Sequence, residues 1–98
     1  MFSVRREAKG DLEFSVLEFK LGGAISPSTL KGLTVPRMDP RSGVAISGRG
    51  PVWLFSYLVH ELHPYPWIGV YDPRLGVVIV ASHHPKVMPG DVIDITLE

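Results

Sequence analysis

The stretch VAISGRGPVWLFSYLVHELHPYPWIGVY, residues 44–71, decides the fold. It opens on Val44 to Ser47, an apolar run that reads as a short buried strand. Gly48-Arg49-Gly50 breaks the run, and Pro51 stands where the first turn of a helix accepts proline. Val52 to Leu62 then reads as a helix. Leu54, Leu58, Leu62, Phe55, Val59 and Val52 cover one side of it, at about 100° per residue. Ser56, His60 and His63 fall on the other side, with Trp53 and Tyr57 beside them. Trp67 to Tyr71 is a second β-rich run. Strand, helix, strand is a βαβ unit, so its two strands are expected to be parallel, joined by a right-handed crossover.

The flanks read as further strands. Val77 to Ala81 follows Asp72-Pro73-Arg74-Leu75-Gly76, a hairpin turn with Asp and Pro in its first positions. Pro89-Gly90 is another turn, and Asp91 to Leu97 a final strand. On the other side, Phe2 to Arg6 is a strand, Lys9-Gly10-Asp11 a turn, and Leu12 to Leu21 a longer strand. Leu12, Phe14 and Val16 alternate, then Leu17, Phe19 and Leu21 take over. That change of parity predicts a bulge or twist near Val16. Ser26-Pro27 opens a short helix over Ser28 to Lys31 that Gly32 closes, and Pro36 to Ser42 is loop. The expectation is a single α/β domain over residues 1–98. Its order is β-β-α-β-α-β-β-β, in a mixed sheet with a central parallel βαβ unit and antiparallel pairing elsewhere.

Composition narrows the function. Ten Lys plus Arg balance ten Asp plus Glu, so no general basic coat for DNA or long RNA exists. There is no Cys, which excludes disulfides, thiolate nucleophiles and cysteine metal sites, and suits a reducing cytoplasm. Met1 to Gly10 has no apolar stretch of the signal-peptide kind. No apolar run approaches the roughly 20 residues of a membrane helix. The expected setting is cytoplasmic, with no membrane and no DNA partner.

Three groups of residues carry candidate chemistry. Ser47-Gly48-Arg49-Gly50 lies at the carboxyl end of a parallel strand, where open α/β sheets place ligands. Its glycines permit close backbone approach, the following helix offers free N–H groups, and Arg49 adds a fork of donors for phosphate. It is neither GxGxxG nor GxxxxGK[ST], and a tight turn with a solvated Arg explains it as well. Asp72 and Arg74 lie at the carboxyl end of the second strand, where Asp before Pro also caps a turn for local reasons. His60 faces away from the core, where a surface His with no task, or one packed in a dimer contact, explains it as well as a functional one. His60 and His63, with His83 and His84, do not form a zinc motif. Hard oxygen and imidazole donors such as Asp72, Asp91 and the histidines, His60 among them, suit manganese or magnesium better than zinc.

Geometry adds a constraint. The helix runs antiparallel to its strands, so the glycine loop and Asp72 share one edge of the sheet. His60 lies about 14 Å along the helix from Pro51, near the opposite edge. If His60 and Asp72 act on one phosphodiester, they meet across a contact between subunits, as head-to-tail stacking allows.

Ser47 to Leu54, Leu58-Val59-His60, Val70 to Gly76, Ser82-His83 and Gly90 to Asp94 together resemble the small stand-alone CRISPR-associated ring nucleases of type III systems. The resemblance covers roughly the last 55 residues of the chain, and in the first 40 only the ββα layout is similar. It implies a phosphodiesterase that degrades cyclic oligoadenylate, chiefly cyclic tetra-adenylate, and so switches off antiviral signalling. Members of that family were earlier described as manganese-dependent exonucleases trimming poly(A) RNA. The resemblance further implies a homodimer, with dimers stacking around the ring. It places the catalytic histidine on His60 and the catalytic aspartate on Asp72. It also puts Ser47 to Gly50 and Arg74 in the ligand pocket, with manganese as the metal. Other readings of the same residues are a 3′ deadenylating exonuclease, a non-catalytic binder of the ring, and a structural subunit presenting Trp53 and Tyr57.

Overall fold

The computed structural model describes residues 1–97. Strands β1 (Phe2–Lys9), β2 (Leu12–Phe19), β3 (Val44–Ser47), β4 (Trp67–Asp72), β5 (Gly76–Ser82) and β6 (Val92–Ile93) form one mixed sheet in sequential order. Helix α1 (Val52–Glu61) joins β3 to β4, and a 3-10 turn over Pro27–Leu30 lies between β2 and β3. The α/β class and the central βαβ unit are as expected: β3 pairs β4 in parallel, Val44 opposite Ile68 and Ile46 opposite Val70.

A second parallel pair corrects the expectation that all other pairing is antiparallel. β2 pairs β3 in parallel, Ser15 opposite Val44 and Glu18 opposite Ser47. The crossover is the irregular segment 20–43. Parallel strands need only enough chain to return, and a helix is the usual device rather than a requirement. Here Ile25, Leu30, Leu33, Val35 and Met38 hold the segment against the core. The expected short helix is a single 3-10 turn; Ser26 precedes it without a side-chain cap.

The parity change along β2 has a different cause from the bulge expected near Val16. β1 and β2 pair without interruption from Phe2–Phe19 to Lys9–Leu12. Both faces of β2 are covered: Phe14 and Val16 enter one cluster, Leu17 and Phe19 the other. A strand buried on both sides has no polar face to keep the alternation visible. The sheet's irregularity lies instead between β4 and β5, at Ile68–Gly69, where Val80 is the extra residue. The final strand is shorter than Asp91 to Leu97. Only Val92 and Ile93 pair with β5, while Ile95 and Leu97 pack onto the sheet face away from α1.

α1 buries Leu54 and Leu58, and Leu62 just beyond it, against Leu17, Val44, Ile46 and Ile68. Val52 lies about 120° around from the middle of that stripe and is 82% exposed, so it does not belong to the core face. Trp53 and Tyr57 are half-buried and pack at the margin of the same cluster, so they are not a bare aromatic patch. His60 is exposed, as its helical phase requires.

Candidate functional site

Three parallel strands end at one edge of the sheet, and the candidate residues follow from that. β2 delivers Glu18 to Leu21, β3 delivers Ser47 to Gly50, and β4 delivers Asp72 to Arg74. A cleft of about 400 Å³ opens between the first two, lined by Glu18, Phe19, Lys20, Leu21, Ser47, Gly48 and Arg49. The β3 half of this cleft is legible in the sequence, whereas Glu18 and Lys20 are not. The signal that finds them is the parallel pairing of β2, which places its carboxyl end beside the glycine loop.

The glycines have a packing reason. A Cβ on Gly48 would lie 2.8 Å from the Phe19 ring, and one on Gly50 would lie 2.9 Å from it. Phe19 is buried and also meets Phe55 edge-on at 5.2 Å. The loop therefore crosses directly over a buried ring, and only hydrogen fits between. That close crossing holds Ser47 buried and presents Arg49 to solvent at the rim. Among the described residues Arg49 has no ion-pair partner. α1 begins just beyond, with Pro51 at the N-cap, no side-chain cap and no acidic residue in the first turn. Free N–H groups and an unopposed positive dipole end thus face the same edge as Arg49.

Asp72 closes β4 and starts the hairpin. Its carboxylate accepts from the Arg74 backbone N–H at 2.8 Å and from the Arg74 guanidinium at 3.2 Å, while its carbonyl accepts from the Leu75 N–H at 3.0 Å. The Arg74 side chain, then its backbone N–H, holds the Asp72 carboxyl below the usual carboxylate range. Gly76 completes the turn at φ +114°, a conformation that favours glycine. Both the structural role and the availability of a charged pair at the edge are therefore real.

His60 sits on the exposed face near the carboxyl end of α1. Because α1 starts at the carboxyl edge of β3 and runs back about 15 Å, His60 belongs to the opposite edge. His63 turns its Nδ1 to the His60 carbonyl at 3.0 Å, and the two rings stand 5.9 Å apart. His83 follows β5 at this same edge, its backbone N–H donating to Pro66. His84 is tied into a turn: its Nδ1 accepts from Lys86, and its N–H donates to Ser82 Oγ. The structure thus gathers Ser47, Gly48, Arg49, Gly50, Asp72 and Arg74 at one edge and leaves His60 at the other.

No three His, Asp or Glu side chains converge on a possible metal position among the described residues. Asp72 and His60 lie at opposite edges of the sheet, so one chain does not bring them to one ion. Among the described residues no helix is long and apolar enough to cross a membrane.

The sequence model of the family described as CRISPR-associated protein (Cas_csx3) matches residues 18–94. The chain belongs to this family. The match takes in the end of β2, the glycine loop, α1 with His60, and the Asp72 hairpin. Every candidate residue named above lies inside it, whereas β1 lies outside. The chain is also 42% identical over 84 residues to a protein of Aquifex aeolicus (strain VF5) described as uncharacterized, covering 81% of this chain and 76% of that protein.

Proposed function

We propose that this CRISPR-associated protein is a phosphodiesterase that degrades cyclic oligoadenylate, with a site completed between two subunits. One observation carries the reading. Phosphate-binding equipment, Arg49 with the start of α1, shares an edge with Asp72, and the exposed imidazole of His60 lies on the edge opposite. A single chain does not bring both to one phosphodiester; two chains stacked edge to edge do. The neutral charge balance suits a small cyclic ligand better than a long RNA.

In such a contact each group has a defined task. Arg49 and the first N–H groups of α1 neutralise a phosphate. Arg74 keeps Asp72 ionised, so that carboxylate accepts a proton or orients a hydroxyl. His60 of the neighbouring copy supplies the complementary proton transfer. Attack by the ribose 2′-hydroxyl on phosphorus expels the 5′-oxygen, which takes up a proton, and leaves a 2′,3′-cyclic phosphate. Attack by water leaves a linear phosphate. The masses of the products distinguish the two routes. Manganese is the ion the family resemblance implies.

The test is incubation with radiolabelled cyclic tetra-adenylate, with and without manganese, beside His60→Ala, Asp72→Ala and a mixture of the two. Cleavage by the unmodified protein, loss in each variant and partial recovery on mixing are expected. Tight binding without turnover would make the protein a sensor. End-to-end shortening of poly(A) in preference to the ring would make it a deadenylating exonuclease. Full activity of a species that sediments as a monomer would end the composite-site reading.

A further inference from the structure

A second cleft, of about 430 Å³, lies at the His60 edge, outside the glycine-loop cleft. It is lined by Arg37, Met38, Pro40, Glu61, Pro64 and Tyr65. Its volume is within the range of small-molecule pockets.

The walls are largely apolar: a thioether, two proline rings and a tyrosine ring. One hydrogen bond joins two of them, the Met38 backbone N–H donating to Tyr65 Oη at 3.0 Å. It ties the 20–43 crossover to the chain just after α1. Two charged groups stand at this wall. Glu61 accepts from Tyr57 Oη through Oε1 at 3.2 Å, one turn back along the helix. Among the described residues its Oε2 has no partner. Glu61 is the last residue of α1, where a negative charge opposes the helix dipole and brings the helix no benefit. Arg37 is exposed and, among the described residues, unpaired.

We propose that this cleft is a nucleobase pocket for an amino-purine, whose exocyclic amine donates to Glu61 Oε2. The flat ring lies against Met38, Pro40, Pro64 and Tyr65, and Arg37 covers its face or meets its phosphate. A carboxylate selects for an N–H donor and against a bare ring edge. That the natural ligand is an adenine of a cyclic oligoadenylate rests on the function proposed above. The cleft then holds a base at the His60 edge while a second chain's glycine loop holds the phosphate.

The test uses nucleosides, which carry no phosphate for Arg49. Isotope-labelled protein is titrated with adenosine and with purine riboside, identical except for the 6-amino group, and backbone amide shifts are followed. Adenosine is expected to shift Met38, Glu61 and Tyr65, with purine riboside about tenfold weaker for loss of one hydrogen bond to a charged acceptor. Glu61→Ala is expected to abolish that discrimination, and Glu61→Gln, which keeps a carbonyl acceptor, to restore part of it. Equal binding of the two nucleosides, or adenosine shifts confined to Phe19, Ser47 and Arg49, would overturn the proposal. Ring cleavage without these shifts would refute the pocket and leave the phosphodiesterase reading standing. The shifts without ring cleavage would do the reverse.

Discussion

The Arg74 guanidinium lies 3.2 Å from the Asp72 carboxylate, and the Arg74 backbone N–H donates to the same carboxylate at 2.8 Å. One residue thus fixes the turn through its main chain and the charge through its side chain. The two roles separate by substitution. Asp72→Asn keeps an oxygen for the Arg74 N–H and loses the charge. The hairpin is expected to survive, with an unchanged circular dichroism spectrum, while ring cleavage falls by about a hundredfold or more if Asp72 transfers a proton. Unchanged cleavage would leave Asp72 a turn residue alone.

The same pair makes a pH prediction. The Asp72 carboxyl is held below its ordinary value near 3.8, first by the Arg74 side chain and then by its N–H. A carboxyl depressed by folding stabilises the fold fully above its unfolded value, and that contribution is lost as pH falls through the folded one. Asp39, held down by the backbone N–H and side chain of Arg41, has the same sign. Asp72 therefore stays a carboxylate throughout the neutral range and contributes no limb there to a pH–rate profile. Carboxyl-carbon NMR is expected to follow its titration upward toward 3.8 in Arg74→Ala. An unmoved midpoint would show that the side-chain pair does not set it.

Gly48→Ala is expected to destabilise the fold by about 1–3 kcal/mol, an overpacking cost. The added methyl would lie 2.8 Å from the buried Phe19 ring. Thermal unfolding measures it, and Phe19→Leu in the same chain is the control. If the ring is the obstacle, the double variant loses less than the two single losses added together.

The core stripe and its margin differ sharply. Leu58 is fully buried in the cluster beneath α1, so Leu58→Ala is expected to cost about 2–5 kcal/mol in denaturant unfolding. Val52, 82% exposed at the first turn, is expected to change stability by less than about 0.5 kcal/mol when replaced by Ala. A large loss at Val52 would point to a partner covering that turn.

Residues 44–71 were legible because their signals are local. Val44 to Ser47 is a continuous apolar run, Leu54, Leu58 and Leu62 repeat at helical spacing, and Pro51 marks the helix start. The placement of Ser47 to Gly50 and Asp72 on one edge, and of His60 on the other, follows from that unit alone. Glu18 and Lys20 stayed hidden because they join the cleft only through the β2–β3 pairing, whose crossover has no helix to announce it. Met38 and Tyr65 come together by a hydrogen bond between residues 27 apart in the chain, and no short pattern records such a contact.

By itself the sequence determined the elements and their local chemistry: strand, glycine loop, helix, strand and Asp-Pro turn, each specified by near neighbours. The tertiary structure alone decided which strand ends adjoin, why Gly48 must be glycine, and that β2 is covered on both faces. Those outcomes depend on contacts between residues far apart in the chain, such as Phe19 beneath Gly48. Periodicity and turn chemistry reach only a few residues, whereas packing is settled by the chain as a whole.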